Sequence, residues 1–220
     1  LHNRQLEAAR HRRTHARLLA GPGTGKTLTL TRRLVKLVIE DRVPPENILA
    51  VAFTRINAND LRRNVTDELA QYGVSTPRIS TLHSYALRQL LRNSKLITSL
   101  PKPLRIADDF EEKNIIRPDI AKMLGGLSAK QMRNKFAELS SDWQSLAVEN
   151  PGYQPVDPRF MGAWQQHRKV YGYTLRSELV WQLKNAVEEN PDEFDLEGDI
   201  QHLLVDEYQD LNKCDLAVIR

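Results

Sequence analysis

The segment Gly21-Pro22-Gly23-Thr24-Gly25-Lys26-Thr27 constrains this chain more than any other stretch. It fits the spacing G-x-x-x-x-G-K-[ST], with Gly21 first and Gly25 directly before the lysine. Glycines let a backbone curl until several N–H groups converge on one point. A helix that begins where the turn ends aims its positive N-terminal end at the same point. A polyphosphate suits such a cradle: Lys26 would reach the β- and γ-phosphates of a nucleoside triphosphate, and the Thr27 hydroxyl would ligate Mg²⁺. A plain Gly/Pro turn is the alternative, and the flanks argue against it. Ala16 to Ala20 reads as a strand, and Leu28 to Ile39 places apolar residues at helical spacing.

The rest of the chain continues that pattern and then leaves it. Ile48 to Phe53 is a continuous apolar strand of the kind buried on both faces of a parallel sheet. A helix over Ala58 to Tyr72 stops at Gly73, a short strand follows at Arg78 to Thr81, and a helix covers Leu82 to Leu91. This βα series predicts a parallel sheet flanked by helices. From Asn93 to Gly198 prolines punctuate helical segments. Ser128 with Gln131 forms a capping box, Asp157-Pro158 an N-cap with a first-turn proline, and Ser177 a cap for a helix ending at Asn190-Pro191. His202 to Val205 then resumes as a buried strand. The expected organisation is an α/β domain made of residues 1–92 and 199–220, interrupted by an all-helical insertion over 93–198.

The resumed strand ends in Asp206-Glu207, which brings two carboxylates to the carboxyl edge of the sheet, where the phosphate loop lies. Asp206 would hold Mg²⁺, mainly through water, and Glu207 would orient and deprotonate an attacking water. Lys26, Asp206 and Glu207 are therefore the candidate catalytic residues, and Thr27 and Asp206 the candidate metal ligands.

Charge and cysteine content bound the partners. The net charge of +4 divides unevenly: residues 1–107 carry 19 Lys and Arg against 7 Asp and Glu, and residues 108–220 carry 13 against 21. A basic half beside a phosphate loop points to a polyanion beyond the nucleotide, with ordinary solvated charge as the alternative. A single cysteine excludes an internal disulfide framework and fits a reducing compartment such as the cytoplasm. The chain opens on Leu1 rather than methionine and still reads as helix at Leu216 to Arg220, so it is expected to be a piece of a larger protein.

Ala20 to Thr27 (AGPGTGKT) together with Val205 to Asp210 (VDEYQD) resembles the UvrD/Rep/PcrA group of superfamily 1 DNA helicases. Three further segments match in order: LHNRQLEAA (Leu1 to Ala9), AVAFTRINANDLRRNV (Ala50 to Val65) and ISTLHSYA (Ile79 to Ala86). The resemblance implies a RecA-like fold and an ATP-driven motor on single-stranded DNA, working at a junction with duplex. It implies that Gln5 reads adenine, that Gln209 joins Gly21, Pro22, Gly23, Thr24, Gly25, Lys26 and Thr27 around the nucleotide, and that Phe53, Thr54, Arg55, His83 and Ser84 lie along the strand. Stacking on an aromatic such as Phe53 grips a base without reading sequence. The bland alternatives are that Phe53 ends a core strand and that His83 is a polar residue in a first helical turn.

The chain departs from the family in places. Residues 55–58 read Arg-Ile-Asn-Ala where Asn-Lys-Ala-Ala is usual, Leu28 replaces an arginine that packs on adenine, and Tyr85 and Tyr208 replace phenylalanines. The family takes its catalytic arginines from a second RecA-like domain and a phosphate-sensing glutamine from the strand after VDEYQD, and neither lies within these residues. Two relatives by chemistry stay open beside the helicase reading: the motor of a RecB/AddA-like helicase–nuclease, and a non-enzymatic DNA-binding protein with ATP as a structural ligand. A small-molecule or nucleotide kinase leaves VDEYQD and the histidine element unexplained.

Overall fold

The computed structural model describes residues 3–11, 14–19, 21, 23–155, 157–196 and 198–220, the side chain of Arg4 excepted. Its contacts divide the chain into two units, Leu1–Leu82 with Leu196–Asp210 and His83–Asp195 with Leu211–Arg220. The expected division at 92/93 and 198/199 differs in two helices: the one following Thr81 and the last one of the chain both group with the helical unit. The last helix does so because it packs against other helices of that unit rather than against the sheet.

The first unit is α/β. Helix α1 (Asn3–Arg10) and α2 (Lys26–Ile39) precede strand β1 (Ile48–Ala52), α3 (Arg55–Ala70) and strand β2 (Arg78–Thr81). Strand β5 (His202–Val205) returns late in the chain. The sheet runs β2-β1-β5 and is parallel throughout, with Ala50 beside Ile79 on one side and Leu204 on the other. Every residue of β1 is buried, as a continuous apolar run in a central parallel strand requires. Leu34 and Leu37 of α2 and Leu61, Val65 and Leu69 of α3 close over Ile48, Ala50 and Ile79 to form an aliphatic core. The Thr54 hydroxyl accepts from Asn57 N–H at 3.1 Å and starts α3, and the turn after it carries Gly73 at a φ of 66°.

Two sequence expectations fail here. No strand forms at Ala16 to Ala20 among the described residues: positions 15–19 are irregular, with Leu18 46% and Leu19 78% exposed, and Ala20 lies outside the described residues. Two leucines flanked by His15, Ala16 and Arg17 offer too little apolar surface to hold a strand buried on both faces. β5 is likewise not fully buried. It pairs only with β1 among the described residues, and Leu203 is 39% exposed at that open edge.

The second unit is helical. It holds α4 (Leu82–Arg92), a two-residue parallel pair of β3 (Ile106–Ala107) and β4 (Thr174–Leu175), and α5 (Asp109–Glu111), which runs through a π-helical segment into α6 (Arg117–Met123). Then come α7 (Ala129–Gln144), α8 (Pro158–Tyr171), α9 (Leu179–Glu189) and α10 (Lys213–Ile219). Both predicted caps form: Gln131 N–H donates to Ser128 Oγ at 3.3 Å, and Asp157 Oδ1 accepts from Arg159 and Phe160 N–H at 3.0 Å each. Ser177 is not a helix cap. It lies inside a 3-10 turn (Arg176–Glu178), and the buried Glu178 carboxylate takes Leu175 N–H at 2.7 Å instead.

The core of this unit is aromatic. Phe136 meets Phe160 edge-on at 5.3 Å, and Trp143 lies 5.7 Å from Trp164 and stacks on Trp181 at 5.9 Å. Such pairs add about 0.5–1.5 kcal/mol each beyond the area they bury. No helix among the described residues is long and apolar enough to cross a membrane.

Candidate functional site

The phosphate loop is shaped by its glycines. Gly23 and Gly25 hold φ of 70° and 84°, a region where a Cβ meets the following carbonyl. Gly25 is also the residue from which α2 springs, so Lys26 is its first helical residue. Thr24 Oγ1 donates to Gly21 O at 2.7 Å and closes the turn. Gln5 Nε2 donates to Thr24 O at 2.7 Å and ties α1 to the loop. The fit is close enough that a Cβ on Gly25 would sit 2.7 Å from Gln5 Nε2. Behind the loop, Thr29 Oγ1 and Thr31 Oγ1 donate to the carbonyls of Gly25 and Thr27 at 3.0 and 2.9 Å. Thr27 itself is exposed. Pro22 lies outside the described residues.

β5 delivers the acids. Asp206 N–H donates to Val51 O at 2.8 Å, which continues the ladder one residue past the strand and fixes where the carboxylates begin. Lys26 Nζ then lies 3.4 Å from Glu207 Oε2, so residues from opposite ends of the chain meet. Glu207 has a φ of 52°, a left-handed conformation that costs a residue with a Cβ about 1–2 kcal/mol. Gln209 Nε2 donates to Glu207 Oε2, and Glu207 N–H donates to Asp206 Oδ1 at 3.1 Å.

The two carboxyls are pushed apart. Burial drives the Asp206 carboxyl above the usual carboxylate range, and the charge of Glu207 adds to this against the Glu207 N–H and Lys26. The amide of Gln209, followed by Lys26, holds Glu207 below its ordinary value despite some burial. Asp206 is 8% exposed, a desolvated acid with one cation nearby. This donor set suits a hard divalent ion that keeps most of its waters. No group of three or more His, Cys, Asp or Glu clusters as a metal site among the described residues.

The residues assigned to DNA divide between the units. Phe53 follows β1 directly and is 52% exposed, so it does not end in the core. Thr54 caps α3 and Arg55 opens it, exposed to solvent. In the helical unit, His83 and Ser84 fall in the first turn of α4, with His83 half-buried and Ser84 exposed. His83 lines a small cavity of about 20 Å³ with Trp143, Trp181, Ser177, Asn212 and Asp215. Burial lowers the imidazole, and the Arg176 guanidinium lowers it further.

Sequence reading did not find Arg17, whose guanidinium lies 5.9 Å over the Tyr208 ring, nor the clamp of Gln5 on Thr24. Gln209, expected at the nucleotide from the resemblance, donates its amide to Glu207. These contacts join residues with no common motif or period, so only the folded chain displays them.

The UvrD/REP helicase N-terminal domain model matches residues 1–220. Among curated proteins the chain is similar to DNA helicase II of Rickettsia typhi, 28% identical over 96% of this chain and 33% of that protein. It is similar to ATP-dependent DNA helicase UvrD1 of Mycobacterium leprae, at 24% identity over 100% of this chain and 30% of the relative. ATP-dependent DNA helicase PcrA of Staphylococcus epidermidis matches at 26% over 100% of the chain and 31% of its own length. The chain thus spans about a third of the length of the curated relatives it matches.

Proposed function

The chain belongs to the UvrD/REP helicase N-terminal domain family, and on that premise we propose that it is the ATP-binding part of a DNA helicase that couples Mg-ATP hydrolysis to movement on single-stranded DNA. The observation that carries this reading is the approach of Lys26 to Glu207, beside the desolvated Asp206, at the mouth of the glycine loop. Support for the sheet unit as a RecA-like domain, and for the helical unit as its insertion, comes from the parallel order β2-β1-β5 and the return of β5 after the helices.

The loop N–H groups and the N-terminus of α2 hold the phosphates. Lys26 then exchanges Glu207 for the β- and γ-phosphates. Glu207 loses the cation that depresses it and becomes the stronger base, while Gln209 keeps it aimed at the attacking water. Thr27 and Asp206 are the residues that would hold Mg²⁺, which would neutralise charge developing on the phosphates. Gln5, whose amide donates to Thr24 O of the loop, reads the base. Phe53, Thr54, Arg55, His83 and Ser84 lie along the strand, and a second RecA-like domain completes the motor. The protein then works in the cytoplasm, at the nucleoid.

Calorimetry tests the nucleotide site. Lys26→Ala should weaken Mg-ATP binding about ten- to hundredfold, the scale of a hydrogen bond to a charged group. Equal affinity of the two chains for ATP would remove the basis of the assignment.

A further inference from the structure

Taking a charge partly out of water is costly unless it has a partner. Nearly every buried or half-buried lysine and arginine among the described side chains obeys this. Lys36 meets Asp41 at 3.0 Å, Arg168 meets Glu178 at 2.9 Å and Lys184 meets Glu149 at 2.8 Å, while Arg78 donates to Glu46 O. Arg176 is the exception. It is half-buried at the start of the 3-10 turn before α9, and it has no hydrogen bond or ion pair among the described residues.

Neither carboxylate near it is its partner: Glu178, two residues on, pairs with Arg168 at 2.9 Å. Burial lowers the pKa of the His83 imidazole, and the Arg176 guanidinium lowers it further. Ser177, the next residue, shares the small cavity with His83. Asp215 also lines that cavity, but its carboxylate accepts from Asn212 N–H at 3.2 Å and makes no ion pair with Arg176. A positive charge without an ion-pair partner is thus left next to Ser177, whose cavity His83 shares. A planar guanidinium in that setting matches the two free oxygens of a phosphodiester, and one positive charge balances its single negative one.

We propose that Arg176 anchors a backbone phosphate of single-stranded DNA beside His83 and Ser84. The assignment rests on the strand reading of His83 and Ser84 given above, and it adds a contact from the turn before α9, outside any motif of the sequence. Such a contact holds the strand without reading its bases.

The test is binding of a fluorescein-labelled (dT)16 oligonucleotide to the whole chain, followed by anisotropy at several KCl concentrations. Arg176→Gln should weaken binding about fivefold at 0.1 M salt. It should also reduce the slope of log K against log[KCl] by about 0.7, the share of one phosphate on a single strand. Arg176→Lys keeps the charge and should retain the slope, which separates loss of the anchor from damage to the fold. Salt-dependent binding with the same slope in the wild type and in Arg176→Gln overturns the anchor and leaves the strand reading standing. Failure of the wild-type chain to bind the oligonucleotide overturns both. Displacement of the oligonucleotide by low millimolar inorganic phosphate at constant ionic strength overturns the assignment to a strand.

Discussion

The two units solve the same packing problem with different materials. The helical unit closes on phenylalanine and tryptophan rings, caps its helices with side chains, and pairs Arg168 with the wholly buried Glu178. The sheet unit closes on leucine, isoleucine and valine, leaves one edge of β5 without a strand among the described residues, and places Gly23, Gly25 and Glu207 at positive φ around its loop. The difference lies in what each unit gathers in one place. The helical unit meets its wholly buried carboxylate with Arg168 and a backbone N–H, yet leaves Trp164 Nε1, His167 Nε2, Thr174 Oγ1 and Trp181 Nε1 buried without a hydrogen bond among the described residues. The sheet unit sets three positive-φ residues, the non-glycine Glu207 among them, where a ligand is to be bound, as strained residues commonly are, while Arg42 holds a φ of 55° elsewhere in it.

That contrast can be broken most decisively by turnover. The sheet unit holds groups for the phosphates, the metal and the water, and lacks by motif an arginine for the developing γ-phosphate charge. The chain alone should hydrolyse ATP slowly with or without single-stranded DNA. Joining it to the second RecA-like domain should raise DNA-stimulated phosphate release by about 10³–10⁵, or roughly 4–7 kcal/mol of barrier. Fast hydrolysis by the chain alone would mean that its site is complete, and Arg17, held over Tyr208 next to Glu207, would be the arginine to replace first.

A second test acts on the helical unit. Glu178→Ala strands Arg168 and removes the acceptor of Leu175 N–H and Gln182 Nε2. Breaking a buried pair in this way should cost about 3–5 kcal/mol in denaturant unfolding while Mg-ATP affinity is kept. A loss below 1 kcal/mol would show that this interior is wetter than its packing implies.

Smaller effects sharpen the sheet side. Phe53→Ala should weaken oligonucleotide binding by about 1–3 kcal/mol if a base stacks on the exposed ring. Unchanged affinity would return Phe53 to a surface role. Gly25→Ala sets a Cβ against Gln5 at a φ of 84° and should cost about 1–2 kcal/mol in Mg-ATP binding. Adding Gln5→Ala should recover part of that loss, because it removes the clash and leaves the backbone strain. No recovery would place the whole effect in the backbone.

What the sequence displayed was what local spacing encodes. The loop from Gly21 to Thr27, the pair Asp206-Glu207, the box Ser128–Gln131 and the cap Asp157–Pro158 each depend on residues a few positions apart. Ala16 to Ala20 was read as a strand from two leucines, but a strand also needs a neighbour to bond with, and local pattern carries no news of that. The unpartnered Arg176 and the hold of Gln209 on Glu207 arise from tertiary placement, which neither period nor composition records.

The aromatic core has an optical consequence. The chain's three tryptophans are Trp143, Trp164 and Trp181, and all of them belong to the helical unit. Tryptophan emission is therefore a private signal of that unit, and close rings such as Trp143 and Trp181 share excitation before they emit. His83 borders the same cavity as those two indoles, and a histidine that gains a proton or a phosphate neighbour alters their quenching. Emission from the unlabelled chain should shift when an oligonucleotide binds and stay level when Mg-ATP binds, so one cuvette reads the two ligands apart.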